Sequence, residues 1–209
     1  MTEQQIKTGT TTVAIVCKEG VVLGADRRVT AGYVANKKYH KIVIINDRVA
    51  VTIAGTVSDV QLLTRLLSAE LKLKDIQTTR HSTVKEAANL LASMVYNNFR
   101  KYMPGITGFL IAGLDEAGTH AYEIGIDGSV MVIEEFTSDG SGCVFALGVL
   151  ETVYKKGLSV DEGVKCAVKA NKAAIQRDTA SGNGCDVLTI TMDGIKWVVD
   201  KDVTPKLEI

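Results

Sequence analysis

Linkers, net charge and long apolar runs are all missing from this 209-residue sequence, and each absence excludes a class of protein. It has only 2 prolines and no low-complexity tract, so nothing predicts a boundary between domains. Its 24 basic and 24 acidic side chains balance, which argues against a nucleic-acid partner because no basic excess neutralises phosphates. No apolar run approaches the roughly 20 residues that a membrane helix needs. We therefore expect one globular domain that binds neither nucleic acid nor membrane.

Signals for secretion, metal binding and nucleotide binding are also missing. Residues 1–9 are polar and lack the apolar centre of a signal peptide, which favours the cytoplasm. The cysteines are far apart, without a Cys-x-x-Cys pair or a histidine at metal-ligand spacing, which favours buried free thiols over disulfides or zinc. No Gly-x-Gly-x-x-Gly or Walker-type loop follows a predicted strand. We predict no metal and no cofactor.

Apolar periodicity groups the strands together and the helices together. The predicted order is strands at 10–17, 21–26, 41–45 and 48–54, two helices, strands at 108–114, 120–125 and 130–134, two helices, and a final hairpin of 186–192 and 195–199. This order favours an α+β domain over a parallel βαβ sheet. Two antiparallel sheets, each covered on its outer face by a helix pair, account for it.

Three of the four predicted helices begin at a capping-box pattern, in which a hydroxyl residue is followed three positions later by an acidic one. The patterns are Thr56-x-x-Asp59, Thr83-x-x-Glu86 and Ser159-x-x-Glu162. The remaining helix, predicted at 143–155, follows Gly140-Ser141-Gly142, where serine is typical of a helix start.

A glycine followed by three threonines, Gly9-Thr10-Thr11-Thr12, opens the first predicted strand. β-Branched residues suit a strand, and that interpretation needs no chemistry. The alternative is cleavage between Gly9 and Thr10. A new N-terminal threonine carries a nucleophilic hydroxyl and, in its own α-amine, a base. The sequence therefore offers a nucleophile of this kind at Thr10.

Other motifs have an ordinary structural interpretation beside a chemical one. Asp26-Arg27-Arg28 ends a strand, where charges are most often solvated surface, and Lys41 heads a strand, where lysine often guards an edge. Gly55 fits a turn, yet a backbone N–H at a strand-to-helix junction also suits an oxyanion. Ser141 lacks the Gly-x-Ser-x-Gly context of a hydrolase elbow. The three histidines are not patterned to pair with a serine or cysteine.

Taken in series, these motifs resemble proteasome β subunits, in particular the archaeal type. The resemblance rests on Gly-Thr-Thr-Thr-Val, Gly-Ala-Asp-Arg-Arg, Lys-Ile followed by Thr-Ile-Ala-Gly, then Gly-Ser-Gly and Arg-Asp-Thr-Ala-Ser-Gly, in that order. It extends over residues 9–199. It implies the four-layer αββα sandwich of the N-terminal-nucleophile hydrolases, with 1–9 as a propeptide and 10–209 as a single domain.

The resemblance also implies the site residues. Thr10 is the nucleophile after cleavage at Gly9, Asp26 its acidic partner, Lys41 the catalytic lysine and Gly55 the oxyanion donor. Ser141, Asp178 and Ser181 surround the threonine amine, and the primary specificity pocket falls at Val29, Ile53 and Val57. Between Arg28 and Lys41 the chain is one residue shorter than the archaeal pattern. The strand register selects Lys41, with Lys37 or Lys38 as the alternative.

The activity and partners implied are those of a compartmentalised protease. The expected protein is a threonine endopeptidase in a seven-membered β ring, stacked in pairs and enclosed by α-subunit rings. A regulatory ATPase would supply unfolded polypeptides, with cleavage after large apolar residues because the pocket is apolar. The alternative is a non-catalytic structural β subunit of a mixed ring.

Overall fold

The computed structural model describes residues 9–102 and 104–202, apart from the side chains of 201 and 202. The predicted leader therefore lies outside the described residues except for Gly9. In this part of the chain, two five-stranded antiparallel sheets pack face to face, and a helix pair covers the outer face of each. The predicted α+β class and four-layer αββα order are confirmed.

The first sheet holds the first strand of the fold in its interior. Numbered along the chain, its strands lie in the order β10 (Phe136–Asp139), β1 (Thr12–Cys17), β2 (Gly20–Asp26), β11 (Gly184–Thr191) and β12 (Gly194–Asp202). Helices α3 (Cys143–Val153) and α4 (Val160–Arg177) cover it. The turn between β11 and β12 is the hairpin that the sequence predicts.

The second sheet follows chain order. Its strands are β5 (Ile42–Ile44), β6 (Val49–Gly55), β7 (Thr107–Asp115), β8 (Gly118–Ile124) and β9 (Val130–Val132), and its helices are α1 (Val57–Thr78) and α2 (Val84–Phe99). A short pair, β3 (Val29–Thr30) and β4 (Val34–Asn36), lies between the sheets in sequence. None of the helices in the described residues is long and apolar enough to cross a membrane.

Three apolar layers hold the sandwich together. One lies under α1 and α2, one under α3 and α4, and the third between the sheets, where Leu23, Leu110 and Leu188 are fully buried. Because the central strands β1, β2, β6, β7 and β11 are covered on both faces, they bury nearly every residue, as β2 does along its whole length. The middle layer is the one that brings the ends of β2 and β6 together.

Some local predictions were wrong. Thr56 begins α1, but its side chain makes no capping hydrogen bond, and its backbone N–H, which a capping box would pair with the Asp59 side chain, donates to Ile106 O at 3.1 Å. The other two capping boxes are confirmed. Strand β10 was not predicted, since it is only four residues long and ends in Asp139, a residue type depleted in strands, and pairing with β1 supplies the order.

The cysteines behave as predicted with one exception. All four are free, and Cys17, Cys166 and Cys185 are buried, whereas Cys143 is only partly buried on α3. Burial raises the pKa of the Cys17 and Cys185 thiols to about 12, helped by neighbouring acidic groups. These two thiols therefore stay protonated and unreactive at neutral pH.

Candidate active site

A lysine and an aspartate form a buried ion pair where the two sheets meet. Lys41 Nζ lies 2.7 Å from Asp26 Oδ1, and their side chains are 3% and 0% exposed. Asp26 ends β2 in the first sheet, while Lys41 immediately precedes β5 in the second. We call these two residues the buried pair. The alternatives, Lys37 and Lys38, are both exposed.

Backbone groups fix the carboxylate of the pair. Asp26 Oδ1 accepts from the Thr11 N–H, and Oδ2 accepts from the N–H groups of Arg28 and Gly182, each at 2.9 Å. Three such bonds hold the carboxylate in one orientation. The ordinary interpretation of this charged strand end as solvated surface does not hold for Asp26 and Arg27, which are both buried.

The Gly9–Thr10 peptide bond lies against the buried pair. Lys41 Nζ donates to Gly9 O at 2.9 Å, and the Thr10 hydroxyl donates to the same oxygen at 2.7 Å. The carbonyl of the predicted cleavage point therefore accepts one bond from an ammonium and one from the predicted nucleophile. An ammonium in this position polarises the carbonyl and favours negative charge on either oxygen.

Two opposing effects set the pKa of Lys41. Burial lowers it below the ordinary lysine value, because a charged ammonium loses its hydration. The charge and hydrogen bond of Asp26 act in the opposite direction, as does the more distant Asp178, while Arg28 adds to the lowering. The net effect is an ammonium that gives up its proton more readily than a free lysine.

A second group of polar residues, which we call the hydroxyl network, surrounds the Thr10 nitrogen. It consists of Ser141, Asp178, Ser181 and Thr11. The Thr10 N–H donates to Ser141 Oγ at 3.2 Å, and the hydroxyls of Ser141 and Ser181 both donate to Asp178 Oδ2 at 2.6 Å. Since Ser181 donates to Asp178, the Thr11 hydroxyl, 2.7 Å away, donates to Ser181.

The network keeps Asp178 ionised. Partial burial acts to raise the pKa of Asp178, but the hydrogen bonds from Ser141, Ser181 and the Ala180 backbone outweigh it, and the net pKa lies below the ordinary value. An ionised Asp178 accepts from both serines. Ser141 Oγ can then accept a hydrogen bond from the Thr10 N–H, and Ser181 Oγ from the Thr11 hydroxyl.

Sequence reasoning missed Thr11 and Arg28. Thr11 joins the two groups, because its N–H binds Asp26 and its hydroxyl binds Ser181. Arg28 donates to Asn183 Oδ1 and Thr179 O, each at 2.8 Å, and so holds the loop that carries Ser181. The threonine run and the charged triplet contained both residues, but neither pattern indicates which loop a side chain reaches.

An apolar cavity opens beside Thr10 and Lys41. The three predicted pocket residues, Val29, Ile53 and Val57, all line it, together with further residues that the sequence did not indicate: Thr30, Tyr39, Ala54 and Val60. Gly55 lines it too, with φ +110, and a Cβ there would lie 2.0 Å from Ile106 O. Only glycine fits this bend, which places the backbone of residue 55 at the cavity wall.

One cluster of possible metal ligands lies behind the buried pair. His40, Asp186 and Asp200 have ligand atoms within 4.8 Å of one another. The guanidinium of Arg27 forms ion pairs with both carboxylates, and His40 Nδ1 lies 2.9 Å from Asp186 Oδ2. Arg27 thus already supplies the positive charge between these carboxylates, and the cluster is explained as an ion-pair network.

Comparison with known proteins agrees with this architecture. The family model described as "Proteasome subunit" matches residues 6–190. A protein named "Proteasome subunit beta" from Archaeoglobus profundus is 42% identical over 193 residues, which cover 92% of this chain and 89% of the relative. The protein of the same name from Methanoregula boonei is 38% identical over 205 residues, covering 98% and 95%. That from Ferroglobus placidus is 41% identical over 192 residues, covering 91% and 90%.

Two antiparallel sheets between helix pairs, with a polar site at the start of the first strand, are consistent with the N-terminal-nucleophile fold. The chain belongs to the proteasome subunit family, and its likeness is to β subunits of the archaeal type. Membership implies that it assembles with other subunits into a proteasome core.

Proposed function

We propose that this chain is a catalytic β subunit, a threonine endopeptidase whose nucleophile is Thr10 once residues 1–9 have been removed. Residues 10–209 would then form its single domain. The observation that carries the proposal is the meeting of the Thr10 hydroxyl and the Lys41 ammonium at the Gly9 carbonyl, with Asp26 bound to Lys41. A purely structural subunit has no need of a buried charge at that bond.

Removal of the leader is the first reaction. The Thr10 hydroxyl attacks the Gly9 carbonyl carbon, the Gly9–Thr10 C–N bond breaks, and the proton passes to the freed amine. Water then hydrolyses the resulting ester, which releases the leader carboxylate and restores the hydroxyl. Gly9 suits this step because a Cβ there would lie 1.7 Å from Ala180 Cβ, so glycine allows the close approach.

Cleavage of substrates uses the amine that this reaction frees. As an amide, the Thr10 nitrogen is not basic, whereas as an α-amine with a pKa of about 7.7–8.0 it can accept the hydroxyl proton. Lys41, held by Asp26, favours deprotonation of the hydroxyl, and Ser141 orients the amine. Attack gives a tetrahedral oxyanion bound by the Gly55 N–H, then an acyl-threonine ester that water hydrolyses.

Substrate preference would follow from the cavity. Its lining at Val29, Ile53 and Val57 offers no partner to a charged side chain, which would lose its water. A large apolar side chain would gain about 1.5–3 kcal/mol from burial. We therefore propose cleavage mainly after leucine, phenylalanine and tyrosine in unfolded polypeptides.

The assembly proposed for this activity is a seven-membered β ring, stacked in pairs between α-subunit rings. The regulatory ATPase and the cytoplasmic location stay predictions. The residues that line the substrate cavity do not themselves unfold proteins. A chamber that receives polypeptides already unfolded therefore suits this chain.

The test compares the core particle containing the natural chain with particles containing Thr10→Ala and Thr10→Ser. Intact mass reports whether residues 1–9 are lost, and fluorogenic peptides with apolar, basic or acidic residues before the scissile bond report hydrolysis. We expect leader loss and apolar-selective hydrolysis in the natural chain. Thr10→Ala should keep its leader and hydrolyse nothing, while Thr10→Ser, which retains a hydroxyl, should keep measurable activity.

A Thr10→Ala particle that loses its leader unaided would disprove self-processing. An assembled natural particle that keeps its leader and is inactive would instead support the structural alternative. Preference for the acidic or basic peptide would refute only the assignment of the pocket.

A further inference from the structure

We propose that Asp186 is a positioning residue that sets the distance between Asp26 and Lys41 by binding the side chains adjacent to each of them. This inference rests on the proposed function, since it concerns the same buried pair. Arg27 follows Asp26 directly in the chain, and His40 directly precedes Lys41. One buried carboxylate thus binds a neighbour of each member of the pair.

The contacts of Asp186 are short and its side chain is 0% exposed. Oδ1 accepts from Arg27 Nε at 2.7 Å, and Oδ2 lies 2.9 Å from His40 Nδ1. Asp186 itself is fixed in β11, paired with Ala25 of β2 on one side and with Asp200 of β12 on the other. The bonds therefore join the loop before β5 to the interior of the first sheet.

The two sheets need such a connection. Asp26 belongs to the first sheet and Lys41 leads into the second, and the layer between the sheets is apolar. Apolar packing is non-directional and does not by itself define a separation to a few tenths of an ångström. Near the site, polar bonds cross this boundary through Asp186, through the buried pair itself and through the Tyr39 N–H, which donates to Arg27 O at 3.1 Å.

The competing interpretation is that Asp186 only neutralises the buried Arg27. Asp200 helps to separate the two interpretations. It also forms an ion pair with Arg27, but its side chain is 65% exposed, and His40 Nδ1 bonds to Asp186. If charge neutralisation were the whole role, loss of the contact to His40 would leave catalysis unchanged.

The experiment measures peptide hydrolysis by core particles carrying Asp186→Asn, His40→Ala or His40→Asn, with Asp200→Asn as the matched control. Misplacement of a reacting group by about 1 Å costs up to about a hundredfold in rate. We expect kcat to fall about tenfold to a hundredfold in Asp186→Asn and about three- to tenfold in His40→Ala, following the same principle. Asp200→Asn should stay within about twofold, because the His40 contact is intact.

Two readouts distinguish positioning from stability. His40→Asn keeps a side-chain N–H near the position of Nδ1 and should recover part of the kcat lost in His40→Ala. In Asp186→Asn the alkaline limb of kcat/KM should move to lower pH, because a more distant Asp26 raises the pKa of Lys41 less, while the opposing effects of burial and Arg28 persist. A structural defect alone would lower the active fraction without moving this limb.

Crystal structures test the same inference without requiring activity. In particles with Thr10→Ala, the additional change Asp186→Asn should move Lys41 Nζ from 2.7 Å to beyond hydrogen-bond distance of Asp26 Oδ1. An unchanged distance would overturn the positioning role, even if the natural particle hydrolyses no peptide and the proposed function fails. If Asp186→Asn does not assemble, His40→Ala decides, since His40 is half-exposed and its loss leaves the core intact.

Discussion

The two polar groups around Thr10 differ in burial and in what they contact. The buried pair, Asp26 and Lys41, is almost inaccessible to water and contacts the carbonyl beside the Thr10 hydroxyl. The hydroxyl network contacts the Thr10 nitrogen, and part of it is open to solvent, with Ser141 exposed and Asp178 partly buried. The Thr10 hydroxyl therefore lies beside fixed charges that are shielded from water, whereas the Thr10 nitrogen lies beside hydroxyls that can donate or accept and are partly open to solvent.

This difference indicates how the two groups divide the chemistry. Charges in a low-dielectric site act strongly and need no reorganisation, which suits the activation of a hydroxyl. Hydroxyls can donate or accept, which suits the proposed change of the Thr10 nitrogen from amide to amine and its proposed gain and loss of a proton. We therefore expect damage to the buried pair to cost more activity than damage to the network.

The largest effect should come from breaking the buried pair. Lys41→Ala and Asp26→Asn should each lower kcat/KM by at least about a thousandfold, because the two side chains act as a unit. For the same reason, the double variant should be no slower than either single variant. Steady-state hydrolysis of an apolar fluorogenic peptide by the assembled particle measures all three.

Stability provides the check on this prediction. Lys41→Ala leaves Asp26 with three backbone donors, whereas Asp26→Ala leaves a buried ammonium without its partner, which costs about 3–5 kcal/mol. Asp26→Asn keeps an oxygen that accepts from Lys41, but its amide NH₂ then faces the N–H groups of Arg28 and Gly182, so the unfolding of each variant is measured beside its rate. A double variant markedly slower than the single ones, or full activity in Lys41→Ala, would contradict the pairing.

A smaller effect should follow from weakening the hydroxyl network. Asp178→Asn removes the charge that accepts from both serines, so their hydroxyls no longer have a fixed direction toward Thr10. We expect kcat/KM to fall about ten- to a hundredfold, in the range of one lost positioning group. Asp178 precedes β11, and Asp193 lies in the turn that follows it, at the other end of the strand. Asp193→Asn is therefore the matched control and should leave the rate unchanged.

The pH dependence distinguishes the Thr10 amine, which the hydroxyl network contacts, from Lys41 of the buried pair, because deprotonation of the two nitrogens changes kcat/KM in opposite directions. The proposed mechanism needs a neutral Thr10 amine and a charged Lys41, so kcat/KM should rise through the amine pKa and fall through the lysine pKa. Because burial lowers the pKa of Lys41, the fall should begin below the ordinary lysine value of about 10.4. Lys41→Arg, which stays charged, should remove this alkaline fall whatever its residual rate.

Much of the fold could be predicted because each strand or helix carries its own signal. Short apolar runs marked β6 and β7, and the Thr83 and Ser159 capping boxes marked two helix starts. The capping box at Thr56 does not form, and the backbone N–H that the motif would pair with residue 59 donates to Ile106 O in a tertiary contact. Strand β10 was missed for a related reason, since its order comes from its partner β1.

The site was less accessible to sequence reasoning because its contacts cross long separations in the chain. Thr10 and Ser141 are 131 positions apart, and Arg27 and Asp186 are 159 apart. Resemblance indicated Asp26, Lys41 and Asp178, whereas Asp186 lies in no motif and the threonine run that contains Thr11 does not indicate its partners. Their roles depend on register in the first sheet, which a single sequence does not determine.

The smallest expected effect is a change of substrate preference that leaves both polar groups intact. Ile53→Val removes one methylene from the cavity wall, worth about 0.8 kcal/mol of burial, or about fourfold in kcat/KM. The wider cavity should shift the ratio of kcat/KM for phenylalanine over leucine peptides upward by up to about that factor. Ile111→Val makes the same change in the fully buried core of β7, away from the cavity lining, and should leave the ratio unaltered. If both variants shift the ratio equally, the effect is one of general packing, and Ile53 does not shape the pocket.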